Sequence, residues 1–287
     1  METTKKMKKK RKVAIPLIVA SAIFCLYGVS LAIPVIWGLI MSLKDPFDYF
    51  TDQLTFPNPP LFSNYLQAFR ELEANGTGLF VMIFNSLWYT IGGTIIPVFA
   101  CITAGYVCAK YNYKICRIWY WIALTTMIIP IVGNLGASLK FSIDWGFYDT
   151  PLTLVTGYMA TGSNFIIMYA FCKGIDWGYA ESAFIDGAGH ARVFFQIMLP
   201  QATSPLIAMA LTIFIAKWGD TQGPLVYLPS FPTLASGFYE YQQISGRNAN
   251  YPVLFAGLLM SAAPIVALYI AFQDKLMSLN LGGGLKG

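Results

Sequence analysis

Residues 174–201 read GIDWGYAESAFIDGAGHARVFFQIMLPQ, and what this stretch interrupts decides the fold. It holds Asp176, Glu181, Asp186 and Arg192, whereas the 287-residue chain is 56% hydrophobic and only 11% charged. Soluble domains carry about a quarter charged residues, so most of this chain belongs in lipid. Residues 174–201 are a structured polar island between apolar runs.

Within the island, apolar residues recur at helical intervals: Tyr179, Ala183 and Phe184 before Asp186-Gly187, then Phe194, Ile197 and Met198 after it. Each half is expected to form a short amphipathic helix. Gly187 admits the positive φ of a sharp bend. Leu199-Pro200 is expected to stop the second helix and turn the chain back into the membrane. Such an elbow is too short to fold alone and is shaped to fill a groove on another protein. The competing reading, an interfacial helix resting on the bilayer, would carry Lys and Arg on its polar face. The three carboxylates disfavour it against an anionic inner leaflet.

Outward from the island lie apolar runs at roughly 13–42, 79–109, 118–139, 152–173, 202–228 and 252–272. About 20 apolar residues span the hydrocarbon core as a helix. The runs are continuous and rich in Leu, Ile, Ala, Met and Phe, not alternating as in a β-barrel. The expected fold is all-α, a polytopic membrane protein with six transmembrane helices. It divides into a basic cytoplasmic N-terminus (1–12), a six-helix membrane domain (13–272) holding the 174–201 loop, and a cytoplasmic tail (273–287).

Basic residues set the orientation, because cationic flanks stay in the cytoplasm. Seven of them, between Lys5 and Lys12, precede the first run. With six spans, Lys110, Lys114, Arg117, Lys173, Arg192, Lys275 and Lys286 share that side, against Lys44, Arg70, Lys140 and Arg247 opposite. Both termini are therefore expected in the cytoplasm. The first run, Val13 to Met41, is about twice the apolar core of a signal peptide and is read as an uncleaved anchor. Beside a span, the basic head is read as a topology determinant touching lipid headgroups; no nucleic-acid partner is expected.

The usual parts of an enzyme are missing. Cys25, Cys101, Cys108, Cys116 and Cys172 show no metal-ligand spacing and are read as packing residues, and His190 is the single histidine. Neither a catalytic cluster nor a metal site is expected, and with no GxxxxGK[ST] phosphate loop the chain does not itself hydrolyse ATP. An ion-driven secondary transporter, the rival class, needs buried acids at mid-membrane and often repeated halves. Away from Asp220 the runs hold almost no carboxylates.

Two connecting segments stand out. Leu43 to Gly78 is rich in proline before Ser63, which is expected to cap a short helix; it is open to reading as a connector or as an external contact. Lys110-Tyr111-Asn112-Tyr113-Lys114 is a tight cationic turn. Polar residues in lipid are costly and mark functional paths, which singles out Asn134, Ser138, Asn164, Lys217 and Asp220. Lys217 and Asp220, three residues apart, have two roles open to them, mutual neutralisation and solute recognition. Trp218 beside them has an aromatic face that suits a sugar ring.

Glu181-Ser182-Ala183-x-x-Asp186-Gly187-Ala188, with Phe194 eight residues after the aspartate and Leu199-Pro200 at the end, resembles the cytoplasmic loop of ABC-importer permeases. The usual form begins Glu-Ala-Ala; Ser182 is a small-for-small departure. The likeness runs on through Asn85-Ser86-Leu87, Ala104 to Lys110, Gly223-Pro224-Leu225 and the end of the chain, Leu281-Gly282-Gly283-Gly284-Leu285-Lys286-Gly287. That tail is similar to the Gly-x-Val-Lys-Gly tail of maltose-transporter-type carbohydrate permeases.

The resemblance implies a permease subunit of a binding-protein-dependent importer for a sugar or oligosaccharide, with an importer of another solute as the alternative. It implies a second permease as heterodimer partner, a cytoplasmic ATPase dimer holding the ATP and magnesium, and an extracytoplasmic solute-binding protein. The setting would be a bacterial or archaeal cytoplasmic membrane. Glu181 would meet a cation on the ATPase, Ala183, Gly187 and Ala188 would allow close approach, and Lys286 would reach between the ATPase subunits.

Overall fold

The computed structural model describes residues 15–129, 133–156, 162–245 and 250–282. The basic head, Arg247 and the tail contact Lys286 lie outside these residues.

The first helix, α1 (Ile15–Ser42), leaves Ile23, Phe24, Leu26 and Tyr27 exposed, as a lipid-facing surface requires. It packs on the last, α15 (Tyr251–Gly282), where Trp37 meets Phe255 edge-on at 5.5 Å. Between α1 and the next long helix come α2 (Pro46–Thr51), α3 (Ser63–Glu71) and a hairpin of β1 (Glu73–Ala74) and β2 (Thr77–Gly78). Asp45 caps α2, its carboxylate accepting from the Phe47 amide at 2.9 Å. Ser63 does not cap α3 as expected: it is the first helical residue, and Phe62 holds the cap position without a side-chain bond. The hairpin turns on Asn75-Gly76, both at positive φ (49° and 70°), the pairing such a turn selects.

The central element is α4 (Leu79–Lys110), which packs along two later helices, α8 (Gly162–Gly174) and α12 (Thr203–Trp218). The turn at 111–113 follows, as the sequence predicts, and α5 (Lys114–Ile128) begins at Lys114.

Three of the six expected spans are divided. The run 118–139 splits into α5 and α6 (Leu135–Asp144). Ile129, the residue before Pro130, is extended at φ −93°, ψ 107°, because a proline ring disfavours helix at its predecessor. The run 152–173 splits into α7 (Thr153–Thr156) and α8, whose first residue, Gly162, has φ 71°. The run 202–228 splits at Gly219-Asp220-Thr221 into α12 and α13 (Gln222–Tyr227). At 1.5 Å per residue, the 15, 13 and 16 residues of α5, α8 and α12 reach only about 20–24 Å, short of a hydrocarbon core about 30 Å thick. Three helices among the described residues are long and apolar enough to cross a membrane, in α1, α4 and α15, or up to four if the bent pair His190–Gln201 and Thr203–Trp218 is one span.

Two larger apolar clusters organise the packing, beside a small one of Tyr89, Leu154 and Leu228. One joins α4, α5 and α8 to the 174–201 segment through Ile102, Tyr106, Phe165, Met168, Val193 and Met198. The other joins α3, the start of α4, the end of α12, α14 (Leu234–Ser245) and α15 through Leu72, Met82, Trp218, Phe238 and Val253. Buried polar groups fix α14 to α4: Asn85 donates to the Pro232 carbonyl at 3.0 Å, and the Leu234 amide donates to the Ser86 hydroxyl at 2.8 Å.

Candidate functional site

The 174–201 segment is an elbow held against the end of α4. Its first arm, α9 (Gly178–Ile185), buries Ala180 and Ala183 and exposes Glu181, Ser182 and Ile185. Glu181 sits in the first turn, where a carboxylate suits the helix dipole. The arm ends in a Schellman motif, with the Ala188 amide donating to the Ala183 carbonyl (2.9 Å) and the Gly187 amide to that of Phe184 (3.0 Å). That motif places its last-but-one residue in the left-handed region, and Gly187 has φ 81°. The expected glycine bend is thus a defined helix stop.

The second arm begins at α10 (His190–Val193), winds through a π-helical turn at Phe194–Met198 and ends in α11 (Leu199–Gln201). Pro200 was expected to stop this arm. The structure keeps Pro200 inside α11 and places the 77° bend after Gln201, before α12 starts at Thr203. Pro200 follows directly on the π-helical turn, where the Leu199 amide reaches back to the Phe194 carbonyl and the regular helical bonding is already interrupted.

An aromatic cluster fastens the elbow to α4 and to the 111–113 turn. Phe194 lies 5.0 Å from Tyr106, His190 lies 4.9 Å from Phe184, and the Tyr111 hydroxyl is 2.8 Å from His190 Nδ1. Lys110 donates to the Ile175 carbonyl from the last turn of α4. These contacts tie the elbow to α4 and to the turn that follows it. Its exposed polar face consists of Asp176, Glu181, Ser182, Asp186 and Arg192.

A second constellation surrounds the break between α12 and α13. Lys217 Nζ and Asp220 Oδ2 form an ion pair at 2.8 Å. Tyr89 of α4 donates its hydroxyl to the same carboxylate oxygen at 2.7 Å, and Lys217 donates to that hydroxyl at 3.2 Å. The other oxygen, Asp220 Oδ1, accepts the Gly223 amide at 2.9 Å, holding the first turn of α13. These groups border a cavity of about 670 Å³ lined also by Ser138, Phe141, Gln222 and Tyr227.

Residues 101–276 match the model of a family described as the binding-protein-dependent transport system inner membrane component. The chain belongs to this family. It is a membrane-embedded permease of the ABC-importer type, a transport subunit whose ATPase is a separate subunit. Among its relatives, the diacetylchitobiose uptake system permease protein NgcG of Streptomyces coelicolor is 26% identical over 263 residues, covering 90% of this chain and 85% of that one. The sulfoquinovosyl glycerol transport system permease protein SmoH of Agrobacterium fabrum is 26% identical over 265 residues, covering 88% of each. The crystal structure of a bacterial ABC transporter involved in import of the acidic polysaccharide alginate has a similar fold, with TM-score 0.74 and 19% identity over 90% of this chain and 95% of that one.

The permease sorts its predicted residues by direction. Glu181, Ser182, Asp186 and Gly187 are exposed on the elbow, whereas Ala183 and Phe194 turn inward, each 8% exposed. Ala183 thus packs within the chain. Leu199 and Pro200 line an apolar cavity of about 520 Å³ with Val98 and Phe99 of α4. Of the path candidates, Ser138, Lys217 and Asp220 share the polar cavity. Asn134 is exposed before α6 and Asn164 half-buried in α8. Trp218 is 5% exposed, stacks on Phe214 at 6.0 Å and donates to the Ser261 carbonyl at 3.0 Å. Cys25 is exposed on α1.

Sequence reasoning missed Tyr89, Tyr111 and the role of Asn85 and Ser86. Tyr89 gives no signal of its own in a chain with 17 tyrosines. Asn85 and Ser86 did give one, as adjacent polar residues in an apolar run.

Proposed function

We propose that this permease imports a sugar or oligosaccharide across a bacterial or archaeal cytoplasmic membrane, driven by a cytoplasmic ATPase dimer that grips the 174–201 elbow. The observation that carries the coupling role is the elbow's construction. A Schellman stop at Gly187 and an aromatic anchor on α4 hold an exposed polar face rigid, and a groove on another protein binds a preorganised helix at lower entropic cost.

The importer contains a second, related permease and an extracytoplasmic binding protein that delivers the solute; ATP and magnesium reside on the ATPase. This chain crosses the membrane six times with both termini inside. Three crossings are completed by paired short segments, α5 with α6, α7 with α8 and α12 with α13, since irregular backbone is tolerated at membrane depth where it is buried in protein or lines a cavity. Closure of the ATPase dimer displaces the elbow as a rigid body and shifts the bundle between inward- and outward-facing states. The sugar assignment draws on the diacetylchitobiose, trehalose and arabinooligosaccharide systems named for its relatives.

Affinity purification of the tagged chain, followed by uptake in proteoliposomes, tests both parts. Co-elution of an ATPase and a second permease, with ATP-dependent saccharide uptake in the presence of the binding protein, is the expected result. A lone chain driving ion-coupled uptake would overturn the coupling role, and ATP-dependent import of a non-sugar solute alone would overturn the cargo.

A further inference from the structure

We infer that residues 45–62, between α1 and α3, form a membrane anchor that lays an aromatic face into the leaflet opposite the elbow, and that its occupant is lipid with an ammonium-bearing headgroup.

Phe47, Phe50, Leu54, Phe56 and Phe62 are 57–90% exposed. A phenylalanine carries roughly 150–250 Å², so the four leave on the order of 500 Å² bare, as much as the largest apolar patches of soluble monomers, which mark contact sites. The segment beneath them is tightly built. Lys44, 1% exposed, donates its ammonium to the Asp52 carbonyl at the end of α2, where a cation suits the helix dipole. Asn64 donates to the Ser42 and Lys44 carbonyls, both at 2.8 Å, and the Leu61 amide donates to the Leu43 carbonyl at 2.8 Å. These bonds clamp the two ends of the segment together, so the rings are displayed with little ordering left to be done on contact.

Depth decides the occupant. Trp37 of α1 and Tyr49 of α2 meet the same ring of α15, Phe255, at 5.5 and 6.1 Å, and Tyr49 stacks on Tyr251 at 5.2 Å. After α1 ends at Ser42 the chain therefore doubles back and lays α2 at the level of Trp37, within the stretch Val19–Ser42 that is long and apolar enough to cross a membrane. Trp and Tyr gather at the boundary between lipid and water, and α2 lies along it. Its bare rings extend the surface that α1 presents to lipid with Leu31, Val35 and Ile36. This is the end of the bundle where α3 and β2 pack on α4, whereas the elbow is fastened at Lys110, the last residue of α4.

Charge decides the headgroup. Between Leu43 and Phe69 the single cation in the sequence is Lys44, which is buried, whereas Asp45, Asp48 and Asp52 are exposed. Anionic headgroups are drawn to Lys and Arg and meet neither on this face. A zwitterionic lipid brings an ammonium to carboxylates and to phenylalanine faces, both of which attract cations.

The test uses the complete importer, purified with its partner subunits, in vesicles of equal parts phosphatidylethanolamine and phosphatidylglycerol, with the binding protein added. Phe47, Phe56 and, as the lipid-facing reference, Phe24 of α1 are replaced one at a time by photoreactive p-benzoylphenylalanine, a ring for a ring on an exposed site, and the adducts are identified by mass after irradiation. Lipid adducts at Phe47 and Phe56 are expected within threefold of the yield at Phe24, with phosphatidylethanolamine exceeding phosphatidylglycerol at least threefold at Phe47. A lower lipid yield at either position overturns the anchor, as do adducts mainly to the binding protein or to the second permease. A smaller or inverted ratio of the two lipids overturns the headgroup class alone. Adding Asp48→Asn to the Phe47 photolabel is expected to bring that ratio toward one, and an unchanged ratio overturns the headgroup class as well.

Discussion

Gly187 is the position at which the elbow is most exposed to a single substitution. Its φ of 81° closes the Schellman motif, and a Cβ there would meet nothing within 4 Å, so within this chain the whole cost of a side chain is backbone strain. For L-residues that cost is about 1–2 kcal/mol, a factor of roughly 5–30 in the population of the bent state. Apparent affinity for the ATPase then falls by no more than that factor, because only the bent fraction binds. Asparagine, which tolerates the left-handed region, costs least; alanine costs more; valine, β-branched, more again. Proline locks φ near −65° and abolishes the turn. The expected order of ATP-dependent uptake is Gly, Asn, Ala, Val, Pro, and excess ATPase rescues Asn and Ala but not Pro. The assay is proteoliposome uptake with titrated ATPase, alongside recovery of each variant in the membrane fraction. Wild-type uptake in Gly187→Val would refute the reasoning. Equal abolition by Asn and Ala would refute it too, since that pattern reports a Cβ collision with the partner and not a φ requirement.

Glu181→Lys reverses the charge on the exposed face while costing α9 only about 0.3–1 kcal/mol at its first turn; it is expected to lose the ATPase on co-purification while inserting normally. Ser86→Ala strands the buried Leu234 amide and is expected to destabilise the detergent-purified permease by about 1–3 kcal/mol, read as a lowered melting temperature. Gly223→Ala drives a Cβ into the Tyr89 hydroxyl and the Asp220 carboxylate; overpacking of this kind costs about 1–3 kcal/mol, and uptake is expected to fall with thermal stability. Tyr111→Phe removes the contact to His190, worth about 0.5–1.5 kcal/mol, and is expected to reduce uptake several-fold with the ATPase still bound; unchanged uptake would show that this contact does not hold the elbow.

What the sequence discloses here follows from how local each signal is. The glycine bend, the two arms and the turn at 110–114 depend on spacing over a few residues, and all three are found in the structure. Hydropathy, summed over about 20 positions, averages across Gly162 and Gly219-Asp220, so the runs 152–173 and 202–228 read as continuous although the helices break there. The direction in which Ala183, Phe194 and Trp218 point depends on neighbours up to roughly 90 positions away, such as Tyr106 for Phe194, and no short pattern encodes that. Tyr89 is the extreme case: its partner Asp220 lies 131 residues on. The sequence presents the pair Lys217–Asp220 without the group that orients it.

The two sites lie at opposite ends of one helix. At one end α12 meets the elbow at the 77° bend beside Ala202; at the other it ends at Trp218, one residue past Lys217. Its 16 residues make a rod of about 24 Å, packed along α4. Tyr89 and Tyr106, on α4, contact the two ends, the first through Asp220 and the second through Phe194. Helix interiors are stiff, so displacement concentrates where regular hydrogen bonding is broken, at element ends. The break after α12 is held by Tyr89 through Asp220, and the elbow before it by Tyr106 through Phe194. Under the coupling proposed above, a push on the elbow would reach the Lys217–Asp220 pair through α12, whose far end Tyr89 of α4 holds by its bond to Asp220.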